Sequence, residues 1–198
     1  VGESYITISG TAKVFAVQGG GRSSGSVSTE GTSTSSTYVT VSGSSTVFYM
    51  VCGGVTDGRV NQIKSYYPVG DSHVTIRDSP TVNDVYGGGW DTYNNPVGYS
   101  TRSTTVSIEG GTIQGSVYGG GFRGPVGSSD SSVQAVSIEI TDGTIQGSVY
   151  GGGKGGDDPL RDDSGEKIAL GDAAGNTTGR AYVDGDISVS ITGGVVQG

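Results

Sequence analysis

The residues in this chain whose types could do chemistry are few and scattered. There is one histidine, His73, and one cysteine, Cys52. No cysteine or second histidine accompanies the histidine, so a zinc site or a Ser/His pair has little support. His73 precedes the alternating segment "VTI" and reads as a surface histidine at a strand edge. Asp157, Asp158, Asp162 and Asp163, with Glu166 just beyond, form an acidic run that offers carboxylate oxygens of the kind calcium takes. Their spacing matches neither the EF-hand loop nor the aspartate-bearing nonapeptide of calcium β-rolls, so the run reads as a solvated loop. Asn176-Thr177-Thr178 has the form of an N-glycosylation acceptor. The glycine-rich "GGGKGGDD" lacks the spacing and the Ser/Thr of a Walker loop, and no helix follows it as a dinucleotide fingerprint requires.

The bulk composition narrows the classes further. Nineteen acidic against eleven basic side chains give a net charge of −8, a sign that repels nucleic acid and anionic membranes. No apolar run approaches the length of a membrane-spanning helix. Glycine is abundant, with 39 residues, but the collagen period is absent. Eleven tyrosines and many alternating Val/Ile pairs argue against disorder. The abundance of Gly, Ser, Thr and Tyr with few lysines suits a secreted or surface protein. The chain opens "VGESYITISG", already in strand pattern, which reads as a processed chain or an excised fragment.

The elements that carry these residues are repeats. "GTIQGSVYGGG" occurs at 111–121 and again, letter for letter, at 143–153. Aligning on it gives six copies, near 6–21, 39–54, 74–89, 106–121, 138–153 and 189–198, within a single domain spanning 1–198. A long variable stretch at 154–186 holds eight of the acids and reads as an exposed loop. Each copy has a short alternating strand, a polar or glycine corner, a second apolar pair and a glycine triplet. Val17, Met50, Val85, Val117 and Val149 mark one position in five copies, at steps of 33, 35, 32 and 32 residues. A period in that range signals a solenoid, propeller or array. Only about half of each unit is patterned, too little for a four-stranded blade. The reading is therefore all-β: a parallel β-solenoid, a right-handed β-helix of about six rungs with long variable loops.

Stacked rungs place identical positions about 4.8 Å apart. Ile6, Val39, Val74, Val106, Ile138 and Val189 form one expected inward ladder, and the five marker positions form another. The triplet is expected to supply a corner with positive φ in every rung, with Cys52 replacing its first glycine in the second copy. Tyr86, Tyr118 and Tyr150 are expected to stack as an outward tyrosine ladder. The threonines Thr7, Thr40 and Thr75 align like an ice-binding column, but the column breaks at Ser107, Glu139 and Ser190, so they read as ordinary strand threonines. The rungs carry almost no charge and repeat no convergent acid–base set. No catalytic residue and no cofactor is expected.

The last copy stops at "VVQG", where "SVYGGG" is due. Open rung edges expose unpaired N–H and C=O groups. The expectation is head-to-tail stacking of the chain on itself through Tyr5, Ile6 and Ile8 at one end and Val189, Ile191, Val196 and Gly198 at the other. Six rungs predict a subunit rise of about 29 Å. Cys52, flanked by glycines, is the candidate cross-link between subunits.

Repeats of the form V-x-I-x-x-G-x-I-x-G-x-V-Y-G-G-G, carried mainly by 74–153 and 187–198, resemble those of large β-helical surface and adhesin-like proteins of anaerobic bacteria and methanogenic archaea. The small size and lone cysteine resemble the tubular-sheath members of that group. The resemblance implies an extracellular structural protein without an active site, partnered with itself, with its end rungs as association surfaces and Cys52 as the cross-link. The alternative is an adhesin or carbohydrate-binding fragment using Tyr86, Tyr118, Tyr150 and Trp90 as a glycan platform. A polysaccharide lyase stands third.

Overall fold

The computed structural model describes residues 3–20, 22–23, 36–54, 56–57, 69–91, 101–122, 126–127, 134–155, 181 and 183–198. These residues form strands and turns and no helix. Every strand pair is parallel, in an open sheet of thirteen strands and a second sheet of three. The acidic run at Asp157, Asp158, Asp162 and Asp163, and Asn176, lie outside the described residues.

The repeat dictates the pairing. Each strand pairs with its counterpart in the next copy, so the first strands Ser4–Ile8, Ser36–Val41, Val69–Tyr86, Thr101–Ile113, Gln134–Ile145 and Asp186–Ile191 lie side by side. Period-two alternation puts Ile6, Val39, Val74, Val106, Ile138 and Val189 in one register column, as the sequence predicts. Ile8, Val41, Ile76, Ile108, Ile140 and Ile191 form the next column on the same face. The second segments stack likewise. Their Val47, Val82, Ile113 and Ile145 join the first-strand columns in one buried core. Burying each Val or Ile contributes about 1.5–3 kcal/mol. No segment of this width could bury that face alone, so the columns hold the copies together.

The second ladder differs from expectation in one copy. Val51, not Met50, occupies the column Val17–Val51–Val85–Val117–Val149. The register shifts between Val47 and Met50, because strand Thr46–Cys52 carries an extra residue at Phe48–Tyr49. Such a bulge leaves unpaired backbone, and Asn83 Nδ2 donates to Tyr49 O at 3.1 Å to satisfy part of it. Every later position of copy two moves by one. Cys52 consequently pairs with Tyr86 and Gln18 and stands in the tyrosine position, with Gly53 as first glycine of the turn.

Positive φ also falls elsewhere than expected. It occurs at the corner between the two segments of each copy: Gly10, Gly43, Asp78, Gly111, Gly143 and Gly194. Asp78, at φ 67°, is the one non-glycine there, and its Oδ2 accepts from Gly43 N at 2.9 Å. Aspartate tolerates this region better than most residues, and here its carboxylate also caps the glycine corner of the preceding copy. The described triplet glycines are not left-handed. A Cβ on Gly53, Gly87 or Gly119 would instead collide with the carbonyl of Gly87, Gly119 or Gly151 in the next copy. Their glycine requirement comes from close stacking of backbones.

Candidate functional site: hydroxyl column, aromatic columns and strand edges

A column of buried and half-buried hydroxyls closes the turns of the first four copies. Ser4, Thr37, Ser72 and Thr104 share one register position, two residues before the first ladder residue. Each donates to the carbonyl of the first turn glycine of its own copy: Ser4 Oγ to Gly19 O at 2.8 Å, Thr37 Oγ1 to Gly53 O at 2.5 Å, Ser72 Oγ to Gly87 O at 2.6 Å and Thr104 Oγ1 to Gly119 O at 2.6 Å. The backbone ladder runs through the other turn groups, Gly53 N to Tyr86 O and Gly54 N to Gly88 O among them. The hydroxyl thus reaches a carbonyl the ladder passes over, and ties the first strand to the turn that ends the copy. In the last two copies Val136 and Ile187 take the position. The signal in the sequence is a Ser or Thr fifteen residues before the glycine, sixteen in the bulged second copy, inside a strand where it reads as one more alternating polar residue. Thr104→Val is expected to cost about 1–3 kcal/mol in urea unfolding, because it leaves the buried Gly119 carbonyl without its donor.

Two aromatic columns flank the core. Tyr86, Tyr118 and Tyr150 stack with centroids 5.0 Å apart at each step and rings within 9° of parallel. The stack is as predicted, but its outward aspect holds only at one end. Tyr86 is fully buried beneath Trp90 and Phe122, Tyr118 is half-buried, and Tyr150 is 47% exposed. Trp90 and Phe122 themselves stack at 4.0 Å. Tyr86 Oη donates to Asp84 Oδ2 at 3.2 Å, and burial, then the Asp84 carboxylate, hold its phenol far above its ordinary pKa. Asp84 Oδ1 accepts from Ser116 N at 2.8 Å, and Lys154 Nζ lies 3.9 Å from Asp84 and 5.6 Å from the Tyr118 centroid. A glycan platform of Tyr86, Tyr118, Tyr150 and Trp90 is therefore corrected: its first ring has no face open to a sugar.

The second column escapes the sequence reading. Tyr5, Tyr38 and His73 stack on the outer face of the first strands, at 4.8 and 4.7 Å and within 8° of parallel. Tyr5 is 69% exposed, and its hydroxyl donates to Glu3 Oε2, a bond that raises the phenol's pKa. The lone histidine is thus a stacked ring at the end of a tyrosine pair. Phe15 and Tyr49 stack at 5.2 Å on the outside of the second segments, both exposed, with Phe48 exposed beside them at the bulge. On the first strands, Asp71 accepts from Arg102 Nε at 3.0 Å, from Arg102 Nη2 at 2.5 Å and from Ser103 Oγ at 2.6 Å. Partial burial pushes the Asp71 carboxyl up, but these bonds and the Arg102 charge outweigh it and hold the group below the usual carboxylate range.

Cys52 requires correction as an accessible cross-link. Its side chain is fully buried, packed with Met50 and Tyr86 and covered by Ala16, Trp90, Tyr118 and Phe122. The bulge that moves it out of the glycine turn is the cause. A thiol-specific reagent is expected to leave native Cys52 unmodified and to label it once the chain is unfolded in guanidinium; rapid labelling of the native chain would contradict this burial. Among the described residues, no three His, Cys, Asp or Glu side chains gather to hold a metal ion.

The strand edges complete the picture. Among the described residues, Ser4–Ile8 and Lys13–Gln18 pair on one side only, with Ser36–Val41 and Thr46–Cys52. At the opposite edge, Asp186–Ile191 and Val195–Val196 pair, among the described residues, only with Gln134–Ile145. Val189, Ile191 and Val196 continue the stacked columns yet are 44%, 50% and 36% exposed, with Ile187 and Val195 exposed beside them. Of the other predicted edge residues, Ile6 and Ile8 are half-buried against the core, Tyr5 stands outward, and Gly198 N donates to Gly147 O at 3.1 Å.

No family model, curated protein or solved structure matches this chain. Its function rests on its own geometry.

Proposed function

We infer that this chain is a non-enzymatic structural protein whose copies stack end to end into an extracellular sheath, hoop or filament at a cell surface. The finer fold in this reading is a right-handed parallel β-solenoid of about six rungs, each bent at the Gly10-type corner and the first four tied by the hydroxyl column. The single observation that carries the reading is the edge at Asp186–Ile191. Its apolar side chains occupy the same columns as Ile138 and Ile140 but lie open, beside a backbone edge that no other described strand pairs. An edge of that kind is a template for another parallel strand. The edge at Ser4–Ile8 offers the matching side, with Ile6 in the column of Val189 and Ile8 in that of Ile191. Stacking in register sets Val189 against the Ile6 of a second copy and repeats the subunit every 29 Å or so, at about 4.8 Å per rung. The resemblance of the repeats to those of methanogen sheath and adhesin-like surface proteins supports the same location. Electron microscopy of the purified chain at rising concentration tests it. Filaments or hoops with that axial repeat are expected, and a monodisperse monomer at every concentration sinks the proposal.

A second reading, a carbohydrate-binding surface module, is favoured by the exposed Phe15–Tyr49 stack and by Phe48. Retention on a glycan array that disappears in Tyr49→Ala, without loss of fold, distinguishes it.

A further inference from the structure

The stacked pair Tyr5–Tyr38 has no part in the core and none in the end contacts just described beyond lying on the first strand. Four observations converge on it. The two phenol rings are 4.8 Å apart and 8° from parallel, held by in-register backbone pairing of Tyr5 with Tyr38. Tyr5 is the more exposed of the two, open to a reagent in solution. Its hydroxyl already donates to a carboxylate, Glu3 Oε2. The column then ends at His73, 4.7 Å from Tyr38, which has no phenol to continue the chemistry.

We propose that Tyr5 and Tyr38 form an oxidative coupling site, where a peroxide-fed one-electron oxidant such as a heme peroxidase joins the rings as a dityrosine. The oxidant takes one electron from each phenol. The Tyr5 proton passes to Glu3 as its electron leaves, and the Tyr38 proton passes to water. The two phenoxyl radicals combine through a new carbon–carbon bond between positions ortho to the oxygens. Each joined carbon then gives up its hydrogen as the phenol reforms, restoring both aromatic rings. The pair loses two protons and two electrons in all, and one hydrogen peroxide is reduced to two waters. The product ties the edge strand Ser4–Ile8 covalently to Ser36–Val41, closing a loop of 33 residues by their numbering. Of the two strands joined, Ser4–Ile8 is the one paired on a single side among the described residues, so the tie falls where a sheet peels first.

The other tyrosine stack provides an internal comparison. Tyr86 is buried, and Lys154 lies over the Tyr118 ring, where a cation withdraws from the formation of an electron-poor radical. Tyr118–Tyr150 is therefore the slower pair.

The test treats dilute full-length protein with a heme peroxidase and hydrogen peroxide, follows dityrosine fluorescence, and maps the product by mass spectrometry. Trypsin releases Tyr5 in peptide 1–13 and Tyr38 in peptide 23–59. The expected product is these two peptides joined, lighter by two hydrogens than their sum, in the monomer band of a denaturing gel. Tyr38→Phe keeps the ring stack and is expected to abolish the joined pair. Glu3→Gln is expected to slow its formation while leaving Tyr118–Tyr150 coupling unchanged. Absence of the joined peptides, their persistence in Tyr38→Phe through Tyr49, or coupling of Tyr5 only between molecules overturns the proposal.

Discussion

Gly87→Ala is expected to lower the unfolding free energy by about 3 kcal/mol, the upper part of the range for overpacking a tight site. Gly152→Ala, in the same turn two copies on, is expected to stay within about 0.5 kcal/mol of the parent. Both positions are turn glycines, and neither is left-handed. They differ in what an added methyl group meets. At Gly87 it meets the carbonyl of Gly119 and the Thr104 side chain, both pinned by the hydrogen bond between them. At Gly152 nothing lies within 4 Å. Backbone carbonyls in adjacent tiers cannot give way as a flexible side chain can, so relief at Gly87 requires separating two strands of the ladder. Urea titrations of the two variants measure the difference directly. Equal effects would mean that the triplet is glycine for backbone conformation after all, and not for close stacking.

The paired substitution Val189→Asp and Ile191→Asp is expected to abolish end-to-end assembly while leaving the isolated chain folded. Both side chains are roughly half exposed, so the single chain loses little when they become polar. A junction that completes their burial gains about 0.7–1.5 kcal/mol from each, half the value for a fully exposed side chain, and that gain is lost. At about 1.4 kcal/mol per tenfold in affinity, the concentration needed for assembly rises about 10- to 100-fold. Each carboxylate would also lie in a dry column beside Ile6 or Ile8 of the next copy, which adds a desolvation cost. Pelleting assays across concentration, with circular dichroism as the check on fold, read both halves of the expectation. Polymers formed at the parent's concentration would show that the contact does not run through this edge.

Much of the scaffold is legible in the repeat. The column from Ile6 to Val189 was readable because each residue stands in the same place within its copy, and parallel pairing preserves that place across every step. The tyrosine stack followed for the same reason. The Tyr5–Tyr38–His73 stack did not, because its three rings differ in type and precede the aligned motif. The hydroxyl column was hidden in another way: Ser4, Thr37, Ser72 and Thr104 look like any polar strand residue until the turn that folds back over them is seen.

By itself, then, the sequence determined the all-β class, the parallel pairing of like with like and the residues that form the main columns. A repeat of short apolar alternations can bury its faces only against its own neighbours. The tertiary structure alone decided the register within copy two and everything that depends on it. One extra residue at Phe48–Tyr49 carries Cys52 from a glycine turn into a buried tyrosine position, and in a strand a one-residue step exchanges inside for outside. The structure also decided why the glycines are there. A positive φ and a neighbouring carbonyl both select glycine, and only the stacked backbones distinguish Gly43 from Gly87.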